Sequence, residues 1–320
     1  MKNLSELTDF YYNHLYPTLQ ELEAQRKALR NRLYKVAGVL GIITLFIAIF
    51  LLQNGAPFDT FIFLGFGLVF VGGLLYKFLI KDYTSAFKEG VIRPLIGAID
   101  SNLKYSPLLS IPNHHFFNSH LFSTKADRMK GNDLVRGSID GVKIEFSDFH
   151  AEEKHTNSKG QTSWSTLFQG LFIVSEFPKS FKGTTVVLPD TAQSTFGDYI
   201  GSFLQSNNFS RGELIKMDNP VFEKEFVVYG SDQIEARYIL TPALMELLLG
   251  FKKRTKEKIL VSFTSNRLYL AIDYNKDLFE PSVFHSLLKY KIAMEYISTL
   301  HLAIGIVEEL KLNQKLWSKI

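Results

Sequence analysis

Two long apolar runs dominate the first quarter of the chain. Val36 to Leu52 is seventeen residues without a charge, and Thr60 to Tyr76 is another seventeen, continued to Ile80 with a single lysine. A helix of about 17–25 apolar residues is long enough to cross a bilayer. Because only a short stretch with Gly and Pro separates the runs, the pattern predicts a transmembrane helical hairpin with spans at about 36–52 and 60–80. Two buried helices of a soluble protein are the alternative.

The basic residues around the spans predict their orientation. Nine lysines and arginines flank the spans and none lies in the connecting loop: Arg26, Lys27, Arg30, Arg32, Lys35, Lys77, Lys81, Lys88 and Arg93. By the positive-inside rule, both termini are expected in the cytoplasm. The 35 residues before the first run are too many for the n-region of a cleaved signal peptide. Apart from Lys77 near the end of the second span, neither span holds a residue more polar than Thr44, which favours an anchor over a transport path.

The segments on either side of the hairpin carry apolar stripes at helical spacing. One stripe runs from Leu19 to Val36, and the other from Tyr83 to Leu103 with a kink expected at Pro94. The two helices could pair as a short cytoplasmic stalk, or either could lie flat on the anionic leaflet. Residues 1–105 are therefore expected to form a helical membrane anchor.

Beyond Tyr105 the pattern changes to short strands and helices, after a Pro-containing linker at 106–118. Runs rich in β-branched and aromatic residues predict these strands: Leu134–Ile139, Val142–Phe149, Thr166–Phe177, Thr184–Leu188, Glu225–Tyr229, Ile259–Thr264 and Arg267–Ile272. Hairpin turns are expected at Asp140-Gly141 and Ser265-Asn266. Helical patterns fall at Phe196–Leu204, Thr241–Leu249 and Ser282–Leu312, the second with Thr241 as N-cap, Pro242 at the first position and Gly250 after its end.

Strands grouped with helices at the ends, without regular βαβ alternation, indicate an α+β domain with a mainly antiparallel sheet. We expect it to cover residues 106–320 and to close with the long C-terminal helix.

Composition excludes several functions. The chain has no Cys, so neither a disulfide framework nor a thiol nucleophile is available. The net charge of +4 is spread over 320 residues, which gives nucleic-acid binding no electrostatic support. The sequence shows no Gly-rich phosphate loop and no nucleophile elbow, and it nominates no cofactor and no catalytic residue.

The stretch SDFHAEEKH, residues 147–155, groups two histidines with acidic residues. His150 and His155 are five apart, which fits neither zinc-protease spacing. Small polar residues follow at 156–163 and join two apolar strands, as in an exposed hairpin. We therefore expect a solvated hairpin without a catalytic metal. The histidines His114, His115 and His120 are likewise expected to be solvated in the linker.

A second polar group, Asp232, Glu235 and Arg237, lies at a predicted helix start. One interpretation is an N-cap with an internal ion pair that fixes the turn from strand to helix. The other is a polar recognition site at the end of the sheet.

Several motifs together resemble one known family. They are FSDFHAEEK (146–154), LFQGLFIVSEFPKSFKGTTVVLPD (167–190), NPVFEKEFVVYGSDQIEARYILTPALMELLLGF (219–251), FTSNRLYLAID (263–273) and IVEELKLNQKLW (306–317). With the spans ahead of them, they resemble the bacterial membrane-protein family catalogued as domain of unknown function 3137.

The resemblance implies a multi-pass protein of the bacterial inner membrane, without an activity or catalytic residues to carry over. It also implies an association with membrane proteins of the LemA type, and a role for Asp148, His150 and Glu152 in fixing a strand end or binding.

Two hypotheses follow. The first is a membrane-anchored cytoplasmic binding or scaffold module of unknown ligand, whose partners are the lipid bilayer, another membrane protein or a second copy of the chain. Its candidate recognition residues are Asp148, His150, Glu152, Asp232, Glu235 and Arg237. The second is a membrane-tethered hydrolytic enzyme that uses these same residues, and it requires both polar groups to converge in one pocket.

Overall fold

The chain forms two compact units. The computed structural model describes residues 4–122, 124–139, 141–176, 180–190 and 212–288, and the single residues 295, 299, 302, 305, 306 and 308. The helical unit comprises Asp9–Leu95 and Glu280–Ile292, and the sheet unit comprises Met1–Thr8, Ile96–Phe279 and Ala293–Ile320. Whether residues 106–320 fold as a separate domain stays a prediction.

Two continuous helices contain the predicted apolar runs. They are Thr8–Gln53 and Phe58–Ile99, and both are long and apolar enough to cross a membrane. The most apolar 18-residue stretch of each has no residue buried inside the protein. At the turn between them, Gly55 has a φ of +68°, a value that glycine adopts without strain. The prediction of two long apolar helices is confirmed.

Each continuous helix contains a short π-helical segment. The elements in chain order are α1 (Leu4–Phe10), a π segment (Tyr11–Leu15), α2 (Tyr16–Gln53), α3 (Phe58–Phe87), a second π segment (Lys88–Ile92) and α4 (Arg93–Ile99). Within the helical unit the segments outside the spans are the buried ones, including Leu19, Leu22, Tyr83 and Phe87. A Cβ on Gly90 would lie 3.1 Å from Cγ2 of Thr18, so the two flanks pack closely.

The helical unit also includes a segment from late in the chain. Residues 282–288 form bends and turns there, so the helix expected from Ser282 is wrong over these residues. The reason is that their backbone bonds to side chains instead of to the next helical turn: Arg26 Nη1 donates to the Val283 carbonyl oxygen at 2.8 Å. Most of the rest of the predicted C-terminal helix, like the predicted helix Phe196–Leu204, lies outside the described residues.

The described part of the sheet unit contains one nine-stranded sheet in which every pair is antiparallel. Its spatial order is β1-β2-β3-β4-β9-β8-β5-β7-β6. The strands are β1 (Lys104–Ser106), β2 (Arg128–Ile139), β3 (Val142–Thr156), β4 (Thr162–Glu176), β5 (Thr185–Pro189), β6 (Glu213–Leu214), β7 (Phe226–Gly230), β8 (Lys258–Thr264) and β9 (Arg267–Asp273). The predicted α+β class with a mainly antiparallel sheet is confirmed.

Four helices complete the described sheet unit between strands. They are α5 (His114–Asn118), α6 (Pro220–Glu223), α7 (Gln233–Ile239) and α8 (Pro242–Thr255). The Thr241 cap is confirmed, since its hydroxyl accepts from the Leu244 N–H at 3.2 Å. The end at Gly250 is wrong: α8 continues to Thr255 and stops at Lys256, which has a φ of +63°.

The expected linker at 106–118 is also wrong. It begins in β1 and contains α5, and its apolar residues Ile111 and Phe116 are 1% and 2% exposed. Phe116 stacks on Phe149 with 5.5 Å between ring centroids. Burial of these side chains outweighs the two prolines that suggested an extended linker.

Candidate functional site

Three polar side chains alternate along β3. Because successive strand residues point to opposite faces, Asp148, His150 and Glu152 lie on the same face of the sheet. On the neighbouring strand β2 they are paired with Asn132, Lys130 and Arg128, respectively. Cross-strand partners on one face lie close enough to interact, so this end of the β2–β3 pair gathers six polar side chains.

The expectation of a solvated hairpin is wrong for residues 147–152. Asp148 is only 1% exposed and Glu152 is 8% exposed. The stretch belongs to β3, which pairs with both β2 and β4, and this pairing removes it from solvent. The expectation holds further along, where β3 ends at Thr156 and residues 157–163 are exposed.

Asp148 is the most deeply buried of these acids. Its Oδ2 accepts a hydrogen bond from the Phe279 N–H at 2.9 Å, whereas its Oδ1 is buried without a partner among the described residues. Burial raises the pKa of this carboxyl well above its usual value, and the nearby carboxyls of Asp133 and Asp277 add to that effect, while the backbone N–H groups of Phe279 and Leu278 oppose it. A raised pKa favours the protonated acid.

His150 has one partnered and one unpartnered ring nitrogen. Nε2 lies 3.3 Å from the Thr166 hydroxyl and 4.0 Å from Glu152 Oε1. Nδ1 is buried and has no partner among the described residues. Burial lowers the pKa of the imidazole, which keeps it neutral near pH 7. A neighbouring carboxylate favours the proton on Nε2, so Nδ1 is left as an acceptor.

Both unpartnered atoms belong to residues that line one pocket. Its volume is about 210 Å³, and its lining consists of Lys130, Gly131, Asn132, Asp148, Phe149, His150 and Asp277. We call it the β2–β3 pocket. Buried polar atoms in native proteins nearly always have a hydrogen-bond partner, so Asp148 and His150 are the lining residues with unused hydrogen-bonding capacity.

Glu152 lies beside this pocket and is engaged by an arginine. Arg128 donates to both of its carboxylate oxygens, at 2.7 and 2.8 Å. These bonds lower the pKa of Glu152, and the guanidinium also lies 4.3 Å from the centre of the Trp164 ring. Glu152 therefore links β3 to β2 through Arg128, whereas Asp148 and His150 are the members of this group that line the pocket.

The second polar group lies at the start of α7 and organises the backbone there. Asp232 caps α7 by accepting from the Ile234 and Glu235 N–H groups at 2.9 and 3.0 Å. Glu235 accepts from the Lys182 and Gly183 N–H groups, each at 2.8 Å. Arg237 donates to the Lys216 carbonyl oxygen at 3.1 Å, and the described residues show no ion pair for it. The cap is present, therefore, without the expected ion pair.

The two polar groups do not converge. Asp232 follows β7, and four strands separate β7 from β3 in the sheet, which corresponds to about 24 Å at ~4.8 Å per strand. None of Asp232, Glu235 and Arg237 lines the β2–β3 pocket. The hydrolase hypothesis required both groups in one pocket, and this geometry does not provide it.

Sequence reasoning missed Lys130, Asn132 and Asp277. A signal for the first two was Gly131, because a Cβ there would lie 2.5 Å from the Asp148 carbonyl oxygen. A glycine inside a strand often marks such a close approach. The β2 register shifts between Asn132 and Val135, and Asp133 has a φ of +60°. Asp277 lies in the loop after β9 and carried no sequence signal.

The expected solvation of His115 is wrong. Burial lowers its pKa to about 4, and the charges of His114 and Arg267 add to this effect. Its ring centroid lies 6.1 Å from that of Tyr269, because α5 packs on the sheet. His115 does not line the β2–β3 pocket.

The pocket offers acceptors, one lysine and no serine, threonine or tyrosine hydroxyl in its lining. Among the described residues, no three or more His, Cys, Asp or Glu side chains are placed to hold a metal ion. The arrangement can bind and orient a polar ligand and can exchange a proton at Asp148.

Comparison with known proteins supports the family resemblance. Residues 166–312 match the model of the family described as "Protein of unknown function (DUF3137)". The resemblance is confirmed. The match begins after Asp148 and His150, so the family model does not cover the β3 side of the pocket.

Two further comparisons add little. No curated protein matches the chain. Among solved structures, the chain is similar to the crystal structure of the mycobacterial trehalose monomycolate transport factor A, TtfA, with 10% sequence identity and a TM-score of 0.33. That likeness covers 66% of this chain and 94% of the other, and at this level it carries no functional conclusion.

Proposed function

We propose that this protein is a membrane-anchored binding module whose recognition site is the β2–β3 pocket. The observation that carries the proposal is that Asp148 Oδ1 and His150 Nδ1 are buried without a partner in the described part of the chain, on residues that line one cavity. Buried groups of this kind commonly mark a site for a ligand, an ion or an ordered water.

The anchor consists of the two apolar helices. The apolar stretches of Thr8–Gln53 and Phe58–Ile99 expose large side chains such as Phe46, Phe63 and Phe70, each 68–73% exposed. Exposed apolar surface of this extent is costly in water and favourable in lipid. The protein crosses the inner membrane of a bacterium twice, with both termini in the cytoplasm and the pocket on the cytoplasmic side. The distribution of lysine and arginine supports this orientation.

The absence of convergence between the two polar groups favours binding over hydrolysis. A hydrolytic site needs a nucleophile or an activated water beside a base. Asp148 and His150 line the pocket with Lys130 and Asp277, whereas the polar group at α7 is occupied with backbone bonds. A scaffold role, with a LemA-type membrane protein or a second copy as partner, is compatible with the same anchor and is a possible consequence of ligand binding.

Orientation is tested with reporter fusions. A periplasm-specific reporter at Asn54 should be active, and the same reporter after Ile320 should be inactive. Activity of the C-terminal fusion would place the sheet unit outside the cytoplasm and refute the proposal.

Binding is tested by purifying the full chain from native membranes and identifying what stays bound by mass spectrometry. The matched variants are Asp148→Asn, in the pocket, and Asp232→Asn, at the α7 cap, where asparagine caps as well as aspartate. A molecule enriched on the wild type and on Asp232→Asn, but lost on Asp148→Asn, supports recognition at the pocket. Identical retention by all three forms would refute it.

A further inference from the structure

The chemistry of the β2–β3 pocket is biased toward hydrogen-bond acceptors. Asp148 Oδ1 and His150 Nδ1 are both buried, and neither has a partner among the residues that the structure describes. Asp277 contributes a second carboxylate, whose Oδ1 accepts from Gln169 Nε2 at 3.1 Å. A ligand that satisfies Asp148 Oδ1 and His150 Nδ1 must carry N–H or O–H donors.

The charge around the pocket is also negative. Asp148 and Asp277 face it, and the carboxyl of Asp133 is close enough to Asp148 to raise its pKa further. The opposing charge in the lining is Lys130, which is exposed. Arg128 is engaged by Glu152 at 2.7 Å and does not offset the other acids. With Asp148 ionised, carboxylates outnumber cations, so the pocket is complementary to a positive group.

We propose that the β2–β3 pocket binds the ammonium group of a small organic cation, with Asp148 Oδ1 and His150 Nδ1 as its acceptors and the Asp277 carboxylate as a further negative charge in the lining. This rests on the proposed binding function and specifies its ligand class. An ammonium group has three N–H donors and no acceptor, which matches a lining in which two buried atoms have no partner among the described residues.

An organic cation fits better than a metal ion or an anion. The described residues hold no cluster of three metal-ligating side chains, and the carboxylates of Asp148 and Asp277 in the lining repel an anion. The volume of about 210 Å³ exceeds the ~10–15 Å³ that a single water needs. It lies below the ~300 Å³ at which pockets for drug-sized ligands begin, so the cation is small.

Binding is coupled to a proton. In the free pocket, burial favours the protonated form of Asp148, and an incoming ammonium group favours the carboxylate. The groups that face Asp148 are Asp133 and Lys130 on β2 and His150 on its own strand, and after β9 they are Tyr274, Asp277 and the Leu278 and Phe279 N–H groups. The carboxyl releases its proton to solvent as the cation binds. Affinity therefore rises with pH, until the ligand's own ammonium group loses its proton.

The test is calorimetric titration of the full chain in detergent with ethanolamine and putrescine, and with ethylene glycol as an uncharged control. We expect a dissociation constant of about 1 mM or tighter for at least one amine, and none for ethylene glycol. Repeating the titration in buffers of different ionisation enthalpy measures the released proton. Asp148→Asn keeps an acceptor for the Phe279 N–H but cannot ionise, so it should bind about tenfold more weakly or worse, without proton release. Asp232→Asn should behave as wild type.

Three results would overturn the inference: no binding of either amine, equal binding by wild type and Asp148→Asn, or saturation by Mg²⁺ or Zn²⁺ that excludes the amines. If Asp148→Asn does not fold, Asp277→Asn provides the same comparison. A non-cationic molecule retained from native membranes in an Asp148-dependent way would refute the ligand class and leave the binding function intact. Occupation of the pocket by ordered water alone, in a crystal soaked with amine, would refute both.

Discussion

Replacing Arg26 by Met should release the segment that follows residue 280. Arg26 donates to both carboxylate oxygens of Glu23, at 2.7 and 2.9 Å, and to the Val283 carbonyl oxygen. Glu23 in turn accepts from the Leu287 N–H at 3.1 Å. Tyr83 donates a hydrogen bond to the Ser282 carbonyl oxygen, and Lys88 forms an ion pair with Glu280. The Glu23–Arg26 pair thus holds the segment by both a donor and an acceptor.

The magnitude follows from the burial of the pair. The side chains of Arg26 and Glu23 are 4% and 8% exposed, and removing one partner of a buried pair costs about 3–5 kcal/mol because the other charge is left uncompensated. Taking the lower end, ~3 kcal/mol, local opening of the segment becomes about 150-fold more frequent at ~1.4 kcal/mol per decade. The double variant Glu23→Gln/Arg26→Met should cost less than Arg26→Met alone, because no buried charge remains.

Hydrogen–deuterium exchange of residues 282–288, measured on the full chain in detergent, reports this opening. The matched control is Arg93→Met, which breaks a Glu89–Arg93 pair whose side chains are 49% and 46% exposed. Exposed pairs of this kind contribute about 0.3–0.5 kcal/mol. Equal exchange in Arg26→Met and Arg93→Met would refute the reasoning, as would a double variant less protected than Arg26→Met.

Four other predictions follow from the structure. The pKa of Glu23 is lowered from 4.5 to about 2, chiefly by its hydrogen bond from Arg26. The stability that this shift contributes is present above pH 4.5 and is lost as pH falls toward 2. Hydrogen–deuterium exchange of 282–288 should therefore rise over that window in wild type and not in Glu23→Gln. In the folded state Asp148 holds its proton above the pH at which the unfolded chain releases it, so its contribution to stability falls as pH rises. In thermal melts, Asp148→Asn should therefore be at least as stable as wild type at pH 7, and its melting temperature should depend less on pH. Tyr105→Phe should lower the unfolding free energy, measured by chemical denaturation, by about 1–3 kcal/mol, because it removes the hydroxyl that donates to the buried Asp133 carboxyl. The control is Tyr238→Phe, at a residue that is 50% exposed, and it should leave the unfolding free energy unchanged. Glu153→Ala and His155→Ala change side chains that are 28% and 53% exposed, and each should alter the unfolding free energy by less than about 0.5 kcal/mol. Zinc that is bound by the wild type and lost in His155→Ala would contradict the prediction that no catalytic metal binds there.

Local signals predicted most of the sheet correctly. The β8–β9 hairpin turns at Ser265-Asn266, where Ser265 has a φ of +55°. The β2–β3 hairpin closes with Ile139 paired to Val142, as the Asp-Gly turn indicated. Turn chemistry and alternation are properties of adjacent residues, so a single sequence carries them. The antiparallel class followed from the same short-range patterns.

The errors came from contacts distant in sequence. Residues 282–288 carry apolar residues at helical spacing, but Glu23 and Arg26, more than 250 positions earlier, hold their backbone in another shape. Ile111 and Phe116 looked like part of a linker because the sheet face that buries them lies on strands later in the chain. Tertiary burial of this kind overrides local propensity, and no local pattern announces it.

The candidate site shows the same limit in its chemistry. His150 and Glu152 were noticed because histidines and acids lie together, yet that composition also fits an exposed hairpin. What distinguishes Asp148 is that the Phe279 N–H, 131 positions later, binds one carboxylate oxygen while the other has no partner among the described residues. The long side chains beyond it, from Glu153 to Thr156, are exposed or half-exposed on the same strand. A single strand thus passes from solvent to buried positions within five residues. The boundary is set by where β2 begins at Arg128 and where the Phe279 N–H, after β9, bonds to Asp148. The acids on the buried side of that boundary are the ones whose protonation a ligand can change.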